Sequence, residues 1–429
     1  LFKFKEIRDV ITSDFIVLPC DLVCELDGTA LLQEWMVQQG GFGGATGGTD
    51  EDTGWPIELG PGGEKIGRRG GLSVWYETKV KDAVESEETD FMATAKVSDS
   101  SVSLRKQSIR KDISRLVLAM PTDSLTELIE EKNRLEVRHS LLRKFGQVKM
   151  RTTLRDAHIY FFPHWILELM AVEDFDTIGE DVLGWWSKAT WQKGLGAKLG
   201  LGDVLDPAPK QSEDDMLSSM ITLMEKDIGV EAYRSSRSSG PPKPTASIAS
   251  PLPVPASSKA PNSASNLVIP PILAYIHPSE PSAPIIRRID STHLLSSMSL
   301  KLALLPASES LAKGTKSSPF AHPLKIAHPA GLARHARVEA DNCLLAENVT
   351  VGERCHIKGS VIGAGCTIAA NVQLTKCVLM EGVIIGENVV LTSCVLGPRC
   401  KIEGGSPKEE GKTEMTNCEV QGGFVVPGR

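Results

Sequence analysis

The sequence predicts an α/β domain followed by a parallel β-helix, on three observations. Aliphatic residues return every 17 positions from Leu345 onward, on three tracks. Before that point, β-branched runs alternate with helix-like segments, the pattern of a mostly parallel α/β domain. Two low-complexity stretches, Gly-rich over 40–71 and Ser/Pro-rich over 235–266, interrupt the alternation.

The first apolar run, 15–18, ends in Pro19, Cys20 and Asp21 and reads as a buried parallel strand with polar chemistry at its carboxyl end. A helix is expected over 29–38. The Gly-rich stretch after it is read as an inserted loop, and no spacing in it suits phosphate binding. Strands are expected over 72–78, 115–120 and 157–162, with helices over 140–145 and 165–170. The Ser, Pro and Ala of 235–266, almost without aromatics, cannot bury enough apolar surface to order themselves. Strand character returns at 272–276 and 285–289, and helix character near 294–305. The domains predicted are 1–233 and 270–306 for the α/β unit, 234–269 for its disordered insertion, 307–325 for a linker and 326–429 for the β-helix. The chain opens on Leu1, and a strand with its loop is expected upstream of it.

The repeat dictates the second domain. Leu345, Ile362, Leu379 and Leu396 form one track; Val351, Ile368, Ile385 and Ile402 a second; Ile357, Leu374 and Leu391 a third. Steps of six, six and five residues between tracks describe three short strands per coil. A second inward set is expected four residues on: Cys355, Val372 and Val389; Val361, Val378 and Val395; Cys366, Val383 and Cys400. A coil cannot bury its own aliphatics, so coils must stack, each buried aliphatic contributing about 1.5–3 kcal/mol. Glycines and Asn348, Asn371 and Asn388 cluster where corners need positive φ. Val420 and Val426 lie 24 residues beyond Leu396 and Ile402, one coil plus seven, so 404–412 is read as a loop pushed out from a corner. The last coil exposes a strand row that calls for a cap or a partner.

With 41% hydrophobic residues and a net charge of −7, no apolar stretch approaches the roughly 18 residues a bilayer span needs, and no signal peptide is expected. The mild acidity argues against nonspecific nucleic-acid binding. Nine cysteines, mostly on the repeat lattice and without CxxC spacing, read as small buried apolar residues in a reducing compartment. Cytosol is the expected location, with no direct nucleic-acid or membrane contact.

Four runs carry a resemblance: DFIVLPCDLV (14–23), LRDAHIYFF (154–162), SVIGAGCTI (360–368) and CVLMEGVIIGENV (377–389). Together with the order of the two domains they resemble the sugar-nucleotide pyrophosphorylase superfamily, and within it the gamma-subunit family of eukaryotic translation initiation factor 2B. The resemblance implies a Rossmann-type, nucleotidyltransferase-like α/β domain, incomplete at its N-terminus, and a left-handed coil. It implies a noncatalytic subunit that pairs with the epsilon subunit and assembles with alpha, beta and delta. The complex exchanges GDP for GTP on translation initiation factor 2, and epsilon carries the activity. No cofactor is expected.

The other reading is an active sugar-1-phosphate nucleotidyltransferase. Such an enzyme needs a Gly-rich phosphate loop and two carboxylates on a divalent metal. By the resemblance, Asp21 stands where the first carboxylate would be and Asp290 near the second. The Gly-Thr expected after the second is Ser291-Thr292, and neither a Glu-Lys sugar-phosphate motif nor the Gly-rich loop is visible in the sequence. Asp21 and Asp290 are therefore read as a vestigial pocket, with Asp21 expected to cap a helix or satisfy backbone donors. Nucleotide binding without turnover stays open.

His356, on a coil, is the residue an acyltransferase would use as base, but a lone histidine there reads as surface. Trp185, Trp186 and Trp191 follow Asp181 in a predicted helix. Two adjacent indoles cannot both face one core, so Trp185 and Trp186 are candidate partner contacts. His158 is read as a core or strand-end residue rather than a base. Arg105-Lys106 and Arg110-Lys111 read as a solvated face.

Overall fold

The computed structural model describes residues 5–36, 70–79, 87–97, 109–172, 175–205, 269–280, 283–310, 317–405 and 412–428. Nearly all of the Gly-rich stretch, the Ser/Pro-rich stretch, Arg105-Lys106 and most of 404–412 lie outside the described residues.

The front domain begins with α1 (Lys5–Val10), β1 (Phe15–Val17), β2 (Leu22–Cys24) and α2 (Gly28–Trp35). Strands β3 (Gly71–Glu77), β4 (Asp90–Ala95) and β5 (Ile113–Pro121) follow, then α3 (Thr122–Lys132) and α4 (His139–Phe145). The 15-residue β6 (Val148–Phe162) leads into α5 (Trp165–Val172), α6 (Leu183–Ala189), α7 (Leu195–Lys198) and α8 (Leu201–Leu205). The domain closes with β7 (Ile272–Ile276), β8 (Ile286–Arg288) and α9 (Thr292–Ala303).

The sheet order is β1-β6-β3-β7-β5-β4, and β6 also pairs with β4. Its first half lies along β4 (Lys149 opposite Thr94) and its second along β3 (Phe161 opposite Leu72), so β6 bends across at Leu154. Among the described strands of this sheet only β3 and β7 run parallel. The expectation of a mostly parallel sheet is corrected: hydrophobic runs report burial on both faces, not strand direction. The run at 15–18 is corrected too. It forms an edge strand antiparallel to β6, with Ile16 and Leu18 exposed.

Alternation along β6 assigns the two cores. Ala157, Ile159 and Phe161 meet Leu31 and Trp35 of α2, while Tyr160 and Phe162 meet Trp165, Ile166 and Trp186. Trp186 is fully buried, edge-on to Trp165 at 5.0 Å, and donates Nε1–H to the Pro270 carbonyl at 2.8 Å. Gly71 makes room for it, since a Cβ there would come within 2.6 Å of the indole. The cap of α2 is Asp27, whose carboxylate accepts from Thr29 N–H at 2.9 Å; Asp21 does not fill that role.

The second domain is a parallel β-helix of three five-stranded sheets in a 17-residue register: Leu345 beside Ile362, Val351 beside Ile368, Ile357 beside Leu374. Leu396 pairs with Val420 and Ile402 with Val426, as the 24-residue step requires. An earlier coil, Ile326, Leu332 and Val338, precedes the predicted tracks at a spacing of 19 residues. One inward column differs from expectation. Cys343, Ser360, Cys377 and Cys394 point in, while Val361, Val378 and Val395 point out, because neighbours of Ile362, Leu379 and Leu396 must alternate. Val378 is nevertheless buried, because α9 lies against strands Val361–Ile362 and Val378–Leu379.

Candidate functional site

The site sits where the β2–β8 ribbon crosses the end of β6. Leu22 pairs with Arg288, and Ile289 N–H donates to the Asp21 carbonyl at 2.6 Å, so Asp21, Arg288 and Asp290 share one end of the ribbon. Arg288 donates Nη2–H to Asp21 Oδ2 at 3.0 Å and Nε–H to the same oxygen at 3.2 Å. The same Nη2 lies 3.5 Å from Asp290 Oδ2. Arg155, nearly fully buried on β6, pairs through Nη2 with that Asp290 oxygen.

A second layer continues behind. Glu87 accepts from Arg287 Nη1 at 2.8 and 3.1 Å and from the Tyr76 hydroxyl at 3.2 Å, and lies 3.6 Å from Arg155 Nη1. The Arg287 guanidinium stacks over the Tyr76 ring at 5.4 Å. Three guanidiniums thus face Asp21, Glu87 and Asp290. Pairing of this density is what makes charges tolerable in a half-buried setting.

His158 completes the front of the site. Its φ is +55°, a left-handed conformation inside a strand, held by its own N–H donating to Asp156 Oδ1 at 2.9 Å. Its Nε2 lies 3.3 Å from Arg288 Nη1 and accepts from it. Burial, then the charge of Arg288, lowers the imidazole to about 4. Behind it, Asp156 accepts the Tyr160 hydroxyl at 2.6 Å, and Asp90 accepts Asp156 N–H at 2.9 Å. Burial, then the neighbouring Asp90, raises the Asp156 carboxyl to about 7. Burial also works to raise Asp21, but the hydrogen bond and charge of Arg288 outweigh it and hold that carboxyl below its usual value.

Asp21 and Asp290, the two residues expected from sequence, are brought together, but by an arginine. A magnesium ion would need those same oxygens at about 2.0–2.1 Å in octahedral array. Nη2 of Arg288 already contacts both, and at 4 Å each unit of added positive charge would meet roughly 4 kcal/mol of repulsion at an effective dielectric constant of 20. The residues present do not fit the metal. Among the described residues no group of three or more His, Cys, Asp or Glu is arranged to hold one.

The other candidates separate. Trp185 is exposed, under Lys188 at 5.0 Å, whereas Trp186 is core and is withdrawn as a partner contact. His356 is exposed on its coil. Arg110 is only partly exposed and lies 4.0 Å from Glu34, whereas Lys111 is exposed, as the solvated-face reading expects. Sequence reasoning missed Arg155 and Arg288, and read His158 as a core or strand-end residue rather than as part of the site. The signal was there: a basic residue one or two positions from the acidic one in RDAH and RRID.

A mixed α/β sheet with this ribbon-end site, followed by a left-handed parallel β-helix, defines a sugar-nucleotide pyrophosphorylase-like architecture. Residues 339–427 match the family described as GMPPB C-terminal domain, a match that spans roughly a fifth of the chain. No curated protein matches the chain. Among the described residues no helix is long and apolar enough to cross a membrane.

Proposed function

We propose that the chain is a noncatalytic, structural and regulatory subunit of the guanine-nucleotide exchange factor for eukaryotic translation initiation factor 2, corresponding to its gamma subunit. The observation that carries the noncatalytic part is the Arg288 guanidinium lodged between Asp21 and Asp290, the two carboxylates a metal-dependent nucleotidyl transfer would need. The resemblance in LPCDL and DAHIY supports the choice of subunit. In this reading the epsilon subunit performs exchange, this chain positions it with alpha, beta and delta, and the assembly works in the cytosol.

The test is co-expression with an epsilon chain, followed by intact-mass measurement and GDP release from initiation factor 2. A stable pair that accelerates release beyond epsilon alone is expected; failure to pair would sink the subunit reading. The second reading, an active sugar-1-phosphate nucleotidyltransferase, is favoured by the match of 339–427 to a domain named for a pyrophosphorylase family. Pyrophosphate release from nucleoside triphosphate, Mg²⁺ and a sugar 1-phosphate, abolished by Asp21→Ala, would establish that reading instead.

A further inference from the structure

We propose that Arg288 is a built-in substitute for a divalent cation: it clasps Asp21 to Asp290 and so holds the entry to α9, and with it the β-helix, in place without metal. Three observations converge on it. The Arg288 side chain reaches one oxygen of each aspartate through a single nitrogen, the placement of a bridging cation. Asp290 and Ser291 immediately precede α9, and Ser291 caps that helix by accepting Leu294 N–H. The helix then lies against coil strands Val361–Ile362 and Val378–Leu379, while Thr292 donates to Glu419 at 2.8 Å on the last coil.

The chain of contacts therefore runs from the end of the first strand pair, through a guanidinium, to the wall of the solenoid. A guanidinium suits this work better than an ion. It is permanently charged, planar and forked, so it fixes the angle between two carboxylates as well as their separation. It is also covalently attached to β8, so the joint does not depend on a free metal concentration. Arg155 assists by taking the same Asp290 oxygen from the side of β6.

Removing the guanidinium leaves Asp21 without its partner and Asp290 held by Arg155 alone, so two carboxylates face one gap of the kind a hard divalent cation binds. The inference deepens the noncatalytic reading and rests on it for its meaning, and Mn²⁺ alone is the probe. On the full chain, wild type should show no stoichiometric Mn²⁺ uptake by electron paramagnetic resonance, and its Tm should not respond to Mn²⁺. Arg288→Ala should lose roughly 5–10 °C in Tm, take up one Mn²⁺ per chain, and recover at least half the loss when Mn²⁺ is added. Adding Asp21→Asn to that variant should abolish the uptake, and Arg288→Lys, which keeps the charge, should bind none.

Two results overturn the assignment: wild-type uptake that Asp21→Asn removes, or a folded Arg288→Ala chain that takes up none. If Arg288→Ala does not fold, Mn²⁺ during refolding should rescue it, and no rescue of it or of Arg288→Gln overturns the proposal equally. The two readings fail separately. Pyrophosphate release by the wild-type chain defeats the noncatalytic reading whatever manganese does. Mn²⁺ uptake by wild type without turnover defeats only the clasp.

Discussion

Tyr160 donates its hydroxyl to Asp156 at 2.6 Å, two residues beyond a histidine held in left-handed backbone. The pairing places a carboxyl raised to about 7 beside an imidazole lowered to about 4, on one strand of one site. Their contributions to stability run in opposite directions with pH.

Asp156 is raised above its unfolded value of about 3.8, so its contribution is complete below that pH and is lost as pH rises through about 7. Burial raises Asp90 as well, which adds in the same sense. His158 is lowered from about 6.5, so its contribution is complete above pH 6.5 and is lost as pH falls through about 4. Between pH 4 and 6.5 the two offset each other. His158→Gln should therefore give stability that falls steadily from pH 4 to 7, and Asp156→Asn stability that rises from pH 4 to 6.5. Urea midpoints at four pH values check this, and parallel slopes in the two variants would contradict it.

The adjacent indoles make a second test. Trp186→Ala should cost about 3–5 kcal/mol, because it empties a fully buried site and orphans the Pro270 carbonyl. Trp185→Ala should change stability by less than about 0.5 kcal/mol, as exposed substitutions do. Thermal unfolding of both variants decides. If Trp185 meets a partner, its loss should appear in pairing with the epsilon chain and not in the melt.

Solenoid glycines divide by cause, which gives a third test. A Cβ at Gly386 would come within 2.4 Å of the Gly404 backbone N on the next coil, and neither backbone can yield without breaking the stack. Gly365 instead has φ +67° and open space around it, the corner conformation that Asn348, Asn371 and Asn388 already adopt. Gly386→Ala should lower the Tm by several degrees, while Gly365→Asn should leave it within about 2 °C of wild type. Equal effects would mean that the two glycines serve one purpose.

The repeat was legible because its period is itself the structure. Stacked coils force Leu345, Ile362, Leu379 and Leu396 into one column, and a 17-residue recurrence in sequence has no other compact solution. The error at Val361, Val378 and Val395 shows where reading by composition stops. Valine and cysteine are both apolar, and only alternation against the neighbouring inward residue distinguishes them. The outward valines passed for inward ones because they are apolar, and Val378 is buried because α9, distant in sequence, lies against its strand.

The site was half legible. Asp21 and Asp290 were found because the resemblance puts the two metal carboxylates at or near those positions. What fills the pocket was not legible, because Arg288 acts on Asp21 across 267 residues of chain. Nothing local says which way the second guanidinium of RRID will turn.

By itself the sequence determined the two-domain plan, the coil register and all but one of the buried columns, since hydrophobic period follows directly from backbone geometry. Strand direction in the front sheet, the burial of Trp186 and the arginine between two aspartates were decided only in the tertiary structure. Each depends on contacts between segments far apart in the chain, and Coulomb energy and packing act on distance in space, which a linear sequence does not carry.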